Sequence, residues 1–259
     1  MSGPILVFDS GIGGLSVLSE VRKQLPQHDY CYLFDNARLP YGNLSEQELI
    51  TGCVALITQH AKRLKASIVV VACNTASTLV LPQLRQQLTI PVVGVVPAIK
   101  PAAMLSTKKH IGLLATPGTV RRDYTQTLIQ QFAGDCKVEL FGTSDLVLLA
   151  EQHVAQQQID LHQLHEILEP IKASQIDVLV LGCTHFPMIA TQISDYLGKG
   201  VALLDSGEAV ANRVRFLLSK EHTGNKQLQA CYTKEINEGL KEALVDYGFS
   251  EFSLVTITD

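Results

Sequence analysis

A chain of 259 residues, 46% hydrophobic and 18% charged, has enough apolar content for one large α/β domain or two of ordinary size, which argues against global disorder. Its formal net charge of −4 comes with no block of basic residues. That argues against a nucleic-acid surface resting on phosphate neutralisation, but not against a small anionic ligand held by local donors.

Residues 5–9 read as a buried strand closing on Asp9-Ser10-Gly11-Ile12-Gly13-Gly14, a tight glycine turn into a helix over 15–25. The turn is superficially like a dinucleotide loop. Ser16, however, stands where a third Gly or Ala is needed, and Asp9 at the strand tip would repel a pyrophosphate. Asp9 keeps two readings: a carboxylate that orients an ammonium or helps a thiol move its proton, or an Asx-type helix cap. Strand 31–35 leads to Leu39-Pro40-Tyr41-Gly42, a turn that either lines a pocket or lies on the surface. A helix over 45–65 precedes strand 68–73, which ends in Ala72-Cys73-Asn74-Thr75. Strand 92–96 follows, and a domain boundary is expected near Val96-Pro97.

Strand 111–115 and its successor Thr116-Pro117-Gly118-Thr119 weakly repeat the strand and turn at 5–14. Then come helix 120–132, strand 137–141 and helix 144–157, whose apolar stretch carries Glu151, facing either solvent or a cleft. Helix 160–173 presents His162 and His165 on a polar face, and strand 178–182 runs into Cys183-Thr184-His185. Strand 201–204, helix 208–219, a polar hinge at 220–226 and a strand–helix–strand tail complete the chain. Nearly continuous apolar strands alternating with helices predict an α/β fold of largely parallel sheets flanked by helices. Two similar domains are expected, 1–96 plus 208–259 with Asp9 and Cys73, and 97–207 with Glu151, Cys183 and His185. The active site would lie in the crevice between them.

No segment reaches the roughly 18 consecutive apolar residues of a membrane span, and no basic export signal is apparent at the N-terminus. The six cysteines are therefore expected as reduced thiols in the cytoplasm. Cys73 and Cys183 stand out because each closes a β-branched run and precedes a threonine able to cap a helix. Helix N-terminal amides and the helix dipole would favour a thiolate, lowering its pKa from about 8.5. A mirrored pair of thiols suits a reaction that takes a proton from one side of a carbon and returns it to the other. His185, with an ordinary pKa of about 6.5, suits support of the neighbouring thiol. Cys73, Cys183 and His185 could also be soft metal ligands, but no C-x-x-C or H-E-x-x-H order supports that, and no metal is expected.

Taken together, Phe8-Asp9-Ser10-Gly11-Ile12-Gly13-Gly14-Leu15-Ser16, Pro40-Tyr41-Gly42, Ala72-Cys73-Asn74-Thr75-Ala76 and Leu181-Gly182-Cys183-Thr184-His185-Phe186-Pro187 closely resemble the glutamate racemases of the aspartate/glutamate racemase superfamily. The resemblance implies a cofactor-independent isomerase that interconverts L- and D-glutamate and supplies the D form to peptidoglycan. It makes Cys73 the base toward D-glutamate and Cys183 the base toward L-glutamate, with Asp9 assisting near Cys73, and Glu151 and His185 near Cys183. Substrate contacts would fall on Asp9, Ser10, Pro40, Tyr41, Gly42, Cys73, Asn74, Thr75, Cys183, Thr184 and His185. The partner implied is the small-molecule substrate, with neither nucleic acid nor membrane, and assembly as a homodimer is one option. Aspartate or hydantoin racemisation, cis–trans isomerisation and non-catalytic binding of an acidic amino acid remain as alternatives.

Overall fold

The computed structural model describes residues 3–156, 158–218 and 224–256, and its strands form two wholly parallel sheets. Four strands open the first sheet: β1 (Ile5–Asp9), β2 (Tyr30–Phe34), β3 (Ile68–Val71) and β4 (Val92–Gly94). The second sheet holds β5 (His110–Ala115), β6 (Lys137–Gly142), β7 (Val178–Leu181) and β8 (Ala202–Leu204). The tail then returns to the first sheet as β9 (Leu228–Tyr232) and β10 (Glu251–Leu254), giving the order β10-β9-β2-β1-β3-β4 beside β6-β5-β7-β8. The expected α/β architecture of parallel sheets flanked by helices is what the chain adopts.

The strand order 2-1-3-4 of the first sheet recurs as 6-5-7-8 in the second. Register strengthens the likeness, for Val71 pairs with Phe8 and Leu181 with Leu114. Cys73 and Cys183 each stand two residues beyond those paired ends. The strands β1 and β3 are buried on both faces, which is why they read as unbroken apolar runs. Val7 and Val70 pack on one side of that sheet, while Leu6, Phe8 and Val71 pack on the other.

The chain passes between the sheets twice, after β4 and after β8, and Ser206 Oγ donates to Val96 O at 2.6 Å where the passages meet. The helix expected over 120–132 is two helices, Pro117–Arg121 and Asp123–Phe132. Thr116 accepts from Thr119 N and Pro117 occupies the first turn, so helix starts early, and Arg122 then takes an extended backbone that breaks it. The strand expected to reach Cys73 stops at Val71 because Asn74–Ser77 already coils. Gln157, Ser219 and most of the expected polar hinge lie outside the described residues.

One surface carboxylate fastens the second sheet. Asp177, just before β7, accepts from Ser106 Oγ at 2.5 Å, Thr107 N at 2.8 Å and Lys108 N at 2.8 Å. Slight burial opposes ionisation, but these donors prevail and hold the carboxyl at about 2. Asp177→Ala is expected to destabilise by about 1–3 kcal/mol at neutral pH, since it strands several donors. Because the folded pKa is depressed, that contribution is complete above the unfolded value of about 3.9 and fades as pH falls toward 2. Thermal melts of parent and variant should therefore diverge at pH 7 and converge near about pH 2.

Candidate active site

The carboxyl ends of β1 and β3 in one sheet, and of β7 in the other, bring the expected residues together. Asp9 ends β1 fully buried, and its Oδ1 accepts from Gly11 N at 3.0 Å. Its Oδ2 accepts from Thr184 Oγ1 at 2.9 Å, so the carboxylate spans from the first sheet to the second cysteine's loop. Burial pushes the Asp9 carboxyl up, while the charge of His185 and the donors Gly11 and Thr184 oppose that rise. Ser10 Oγ lies 3.5 Å from Asp9 Oδ1 and 3.9 Å from Cys73 Sγ, giving a polar row Cys73–Ser10–Asp9. Asp9 braces the glycine turn without capping the helix, whose N-cap is Gly14 with no side-chain hydrogen bond.

A second row backs the other cysteine. Cys183 Sγ is 3.7 Å from His185 Nδ1, and His185 Nε2 is 2.8 Å from Glu151 Oε1. That same Glu151 oxygen accepts from Ile12 N at 2.8 Å, which fixes the carboxylate against the glycine turn. The Glu151 carboxylate thus turns to His185 and the glycine turn, where pattern alone left solvent and a cleft undecided. Nε2 also lies 3.3 Å from Gly13 N; the shorter contact to a carboxylate makes Nε2 a donor to Glu151, which leaves the Gly13 N–H close by but not hydrogen-bonded to it. Burial alone would lower the His185 pKa, but hydrogen bonds to Cys183 and Glu151 and their charges carry it well above 6.5. Gly13 is required here, because a Cβ would come 2.7 Å from the His185 backbone nitrogen. Ser16, the residue that breaks the dinucleotide pattern, has its Oγ 2.9 Å from Thr184 O and so ties the first helix to this loop.

The thiols themselves differ from expectation in one respect. Asn74–Ser77 is a four-residue helix, and Cys183 leads into a turn and a 3-10 stretch, Phe186–Ile189, so neither has a long helix behind it. Cys73 is pushed well above its ordinary pKa by burial and by the charge of Asp9, which outweigh a backbone hydrogen bond from Ala76. Local amides do not make Cys73 a ready thiolate; the dry site keeps it protonated.

The turn at 40–42 lies against the second sheet's loops. A Cβ on Gly42 would come 2.7 Å from Thr116 Cβ. The Tyr41 hydroxyl donates to Asp35, which also takes Arg38 Nε at 2.6 Å and Thr233 Oγ1 at 2.7 Å. The turn can therefore offer a ligand its backbone, while the phenol is committed to the framework. Half-buried Pro40 opens this turn, and its peptide bond from Leu39 is cis. Asn74 is buried and its Oδ1 has no hydrogen-bond partner among the described residues. Thr75 Oγ1 lies 2.8 Å from Thr116 Oγ1 and 3.3 Å from Thr119 Oγ1, with all three buried. In the sequence Thr116 and Thr119 stand only as part of a weak repeat. The cue was available, since Thr116 occupies in the second half the place that follows Asp9 in the first.

Among the described residues, no group of three or more His, Cys, Asp or Glu side chains is placed to hold a metal ion. None of the described helices is long and apolar enough to cross a membrane.

The sequence profile of the Asp/Glu/hydantoin racemase family matches residues 14–214. The chain belongs to that family. It is accordingly a racemase, an isomerase by class. A glutamate racemase from Shewanella frigidimarina is 86% identical over 259 residues, covering 100% of both chains. The structure of Escherichia coli glutamate racemase in complex with L-glutamate and the activator UDP-MurNAc-ala superposes with a TM-score of 0.94 at 42% identity, covering 99% of this racemase and 100% of that chain. A glutamate racemase isoform from Bacillus anthracis gives a TM-score of 0.84 at 30% identity over 98% and 97% of the two chains. The resemblance read from four short motifs thus extends across the whole racemase, tail included.

Proposed function

We propose that this racemase interconverts L- and D-glutamate by a cofactor-independent two-base transfer, Cys73 facing one side of the α-carbon and Cys183 the other. The observation that carries the reading is the equivalent placement of the two thiols, each two residues beyond a matching strand and each backed by its own polar row. In one direction the Cys183 thiolate takes the α-proton of L-glutamate and becomes a thiol. The Cys73 thiol gives its proton to the opposite face and becomes a thiolate. The reverse direction exchanges these roles. Protonated Cys73 is suited to the first of them.

The α-proton is weakly acidic, so donors around a dry, preorganised site must carry the charge that develops at the α-carbon. Asn74 Oδ1, buried and unpartnered, supports binding of the substrate ammonium. Three converging hydroxyls of Thr75, Thr116 and Thr119, which hydrogen-bond one another here, support capture of the distal carboxylate, toward which they would turn their donors. The division of labour follows the chain: 1–96 with 208–259 forms one wall and 97–207 the other. A cytoplasmic setting and a supply of D-glutamate to peptidoglycan complete the proposal.

The test is incubation of the purified, metal-free and pyridoxal-free protein with each glutamate enantiomer in D₂O, with aspartate in parallel. Inversion with α-deuterium in the product is the expected result. Binding without exchange would leave only a module that holds acidic amino acids, and preference for aspartate would reassign the substrate.

A further inference from the structure

Arg122 is the residue between the two short helices of the second half, where the backbone turns extended. Its side chain is only 8% exposed, and it crosses to the first half. There Nη1 donates to Thr75 O at 2.8 Å and to Thr78 Oγ1 at 2.7 Å, both on the segment that follows Cys73. Thr75 thus faces two ways: its carbonyl meets Arg122, and its hydroxyl joins Thr116 and Thr119.

A guanidinium this deeply buried ordinarily has a well-placed carboxylate, because removing a cation from water is costly unless it is paired. The carboxylate that Arg122 meets is poorly suited to that task. Glu46 approaches Nε at 3.4 Å, and its side chain is 64% exposed, so water screens much of the pairing. Burial accordingly pulls Arg122 below its ordinary pKa, with Glu46 only partly opposing. The positive charge is left under-compensated one residue's width from a cluster of hydroxyls in the active site.

We infer that Arg122 is a positioning residue whose buried charge serves the distal carboxylate of the substrate through Thr75. It holds the Cys73 segment against the second half, and it biases the threonine hydroxyls toward a negatively charged ligand. The inference rests on the glutamate reading above and extends it to a residue that lies behind the hydroxyl cluster. Bound substrate then supplies the counter-charge that Glu46 provides only weakly. An effect of this kind belongs to ground-state binding as much as to the transition state, because the distal carboxylate keeps its charge throughout the reaction.

The experiment measures kcat and KM for both enantiomers in Arg122→Gln, Arg122→Lys and Glu46→Gln, with thermal melts to verify folding. Arg122→Gln keeps hydrogen-bonding capacity and removes charge; KM should rise at least about tenfold while kcat stays within about threefold. Arg122→Lys restores charge without the planar fork and should recover most of that loss. Glu46→Gln removes an exposed partner with little risk to the fold, and its KM should stay level or fall. An unchanged KM in Arg122→Gln overturns the inference, as does a lysine variant no better than the glutamine one. A KM raised by more than about twofold in Glu46→Gln would also overturn it, by making the pair itself the functional unit. Failure of the parent to turn over glutamate would sink the earlier reading; an active parent with an indifferent Arg122→Gln sinks this one alone.

Discussion

Serine at position 73 or 183 is expected to abolish inversion while leaving the opposite face reactive. On the two-base reading each thiol would serve as base in one direction and acid in the other, and an alcohol is a far weaker acid than a thiol in the same surroundings. Loss of at least about a thousandfold in kcat, close to 4 kcal/mol of barrier, is expected for both variants. The two should nonetheless differ in D₂O. Cys73→Ser keeps the Cys183–His185–Glu151 row intact, so it should wash deuterium into L-glutamate without producing the D form. Cys183→Ser keeps Cys73–Ser10–Asp9 and should label D-glutamate in place. Proton NMR of the α-position with chiral chromatography reads both quantities. Inversion surviving in either variant at a tenth of the parent rate or more, on the order of 1.4 kcal/mol, would end the two-thiol mechanism.

The second large effect concerns His185. His185→Asn should lower kcat/KM by about a hundredfold to a thousandfold, as removal of a group that holds or moves protons in the transition state does. In the parent, hydrogen bonds to Cys183 and Glu151 keep this imidazole protonated well past pH 6.5. Activity should persist through neutrality and decline only at higher pH, and that alkaline limb should be missing from the variant. Stability follows the same ionisation. With a folded pKa above the unfolded one, the stabilising contribution is complete below about pH 6.5 and is lost as pH rises through the folded value. The Tm gap between parent and His185→Asn should thus shrink on the alkaline side. A pH profile unchanged by the substitution would remove His185 from the proton pathway.

The sheets were legible because β1, β3 and β7 are buried on both faces and so appear as unbroken apolar runs bounded by turns. The thiols were legible because each follows such a run. What escaped notice shares a different physical origin. Arg122 meets Thr75 across 47 positions of chain, and Thr119 meets Thr75 across 44. Contacts of this kind depend on how two sheets dock, and no local periodicity records that. Tyr41 shows the complementary limit of pattern. A turn tyrosine beside a glycine looks like a pocket wall, yet Asp35 draws its hydroxyl into a buried network that Thr233 of the tail completes. Cys73 shows where a local rule was outweighed, since burial and the charge of Asp9 exceed what a four-residue helix can offer a thiolate.

The repeated strand order carries a consequence for how evenly the two enantiomers are treated. Equivalent scaffolds present the sulfurs, but the surroundings are unequal, with a carboxylate and hydroxyl behind Cys73 and an imidazole and carboxylate behind Cys183. On the two-base reading, those unequal surroundings would give the two hands of substrate different turnover numbers and different KM values. L- and D-glutamate have equal free energies in achiral solution, so the two values of kcat/KM must be equal whatever the protein does. Any advantage in turnover for one enantiomer must be matched by a proportionally weaker KM for the same enantiomer. Broken symmetry in this site can change at what concentration each hand is processed, and never which hand accumulates at equilibrium.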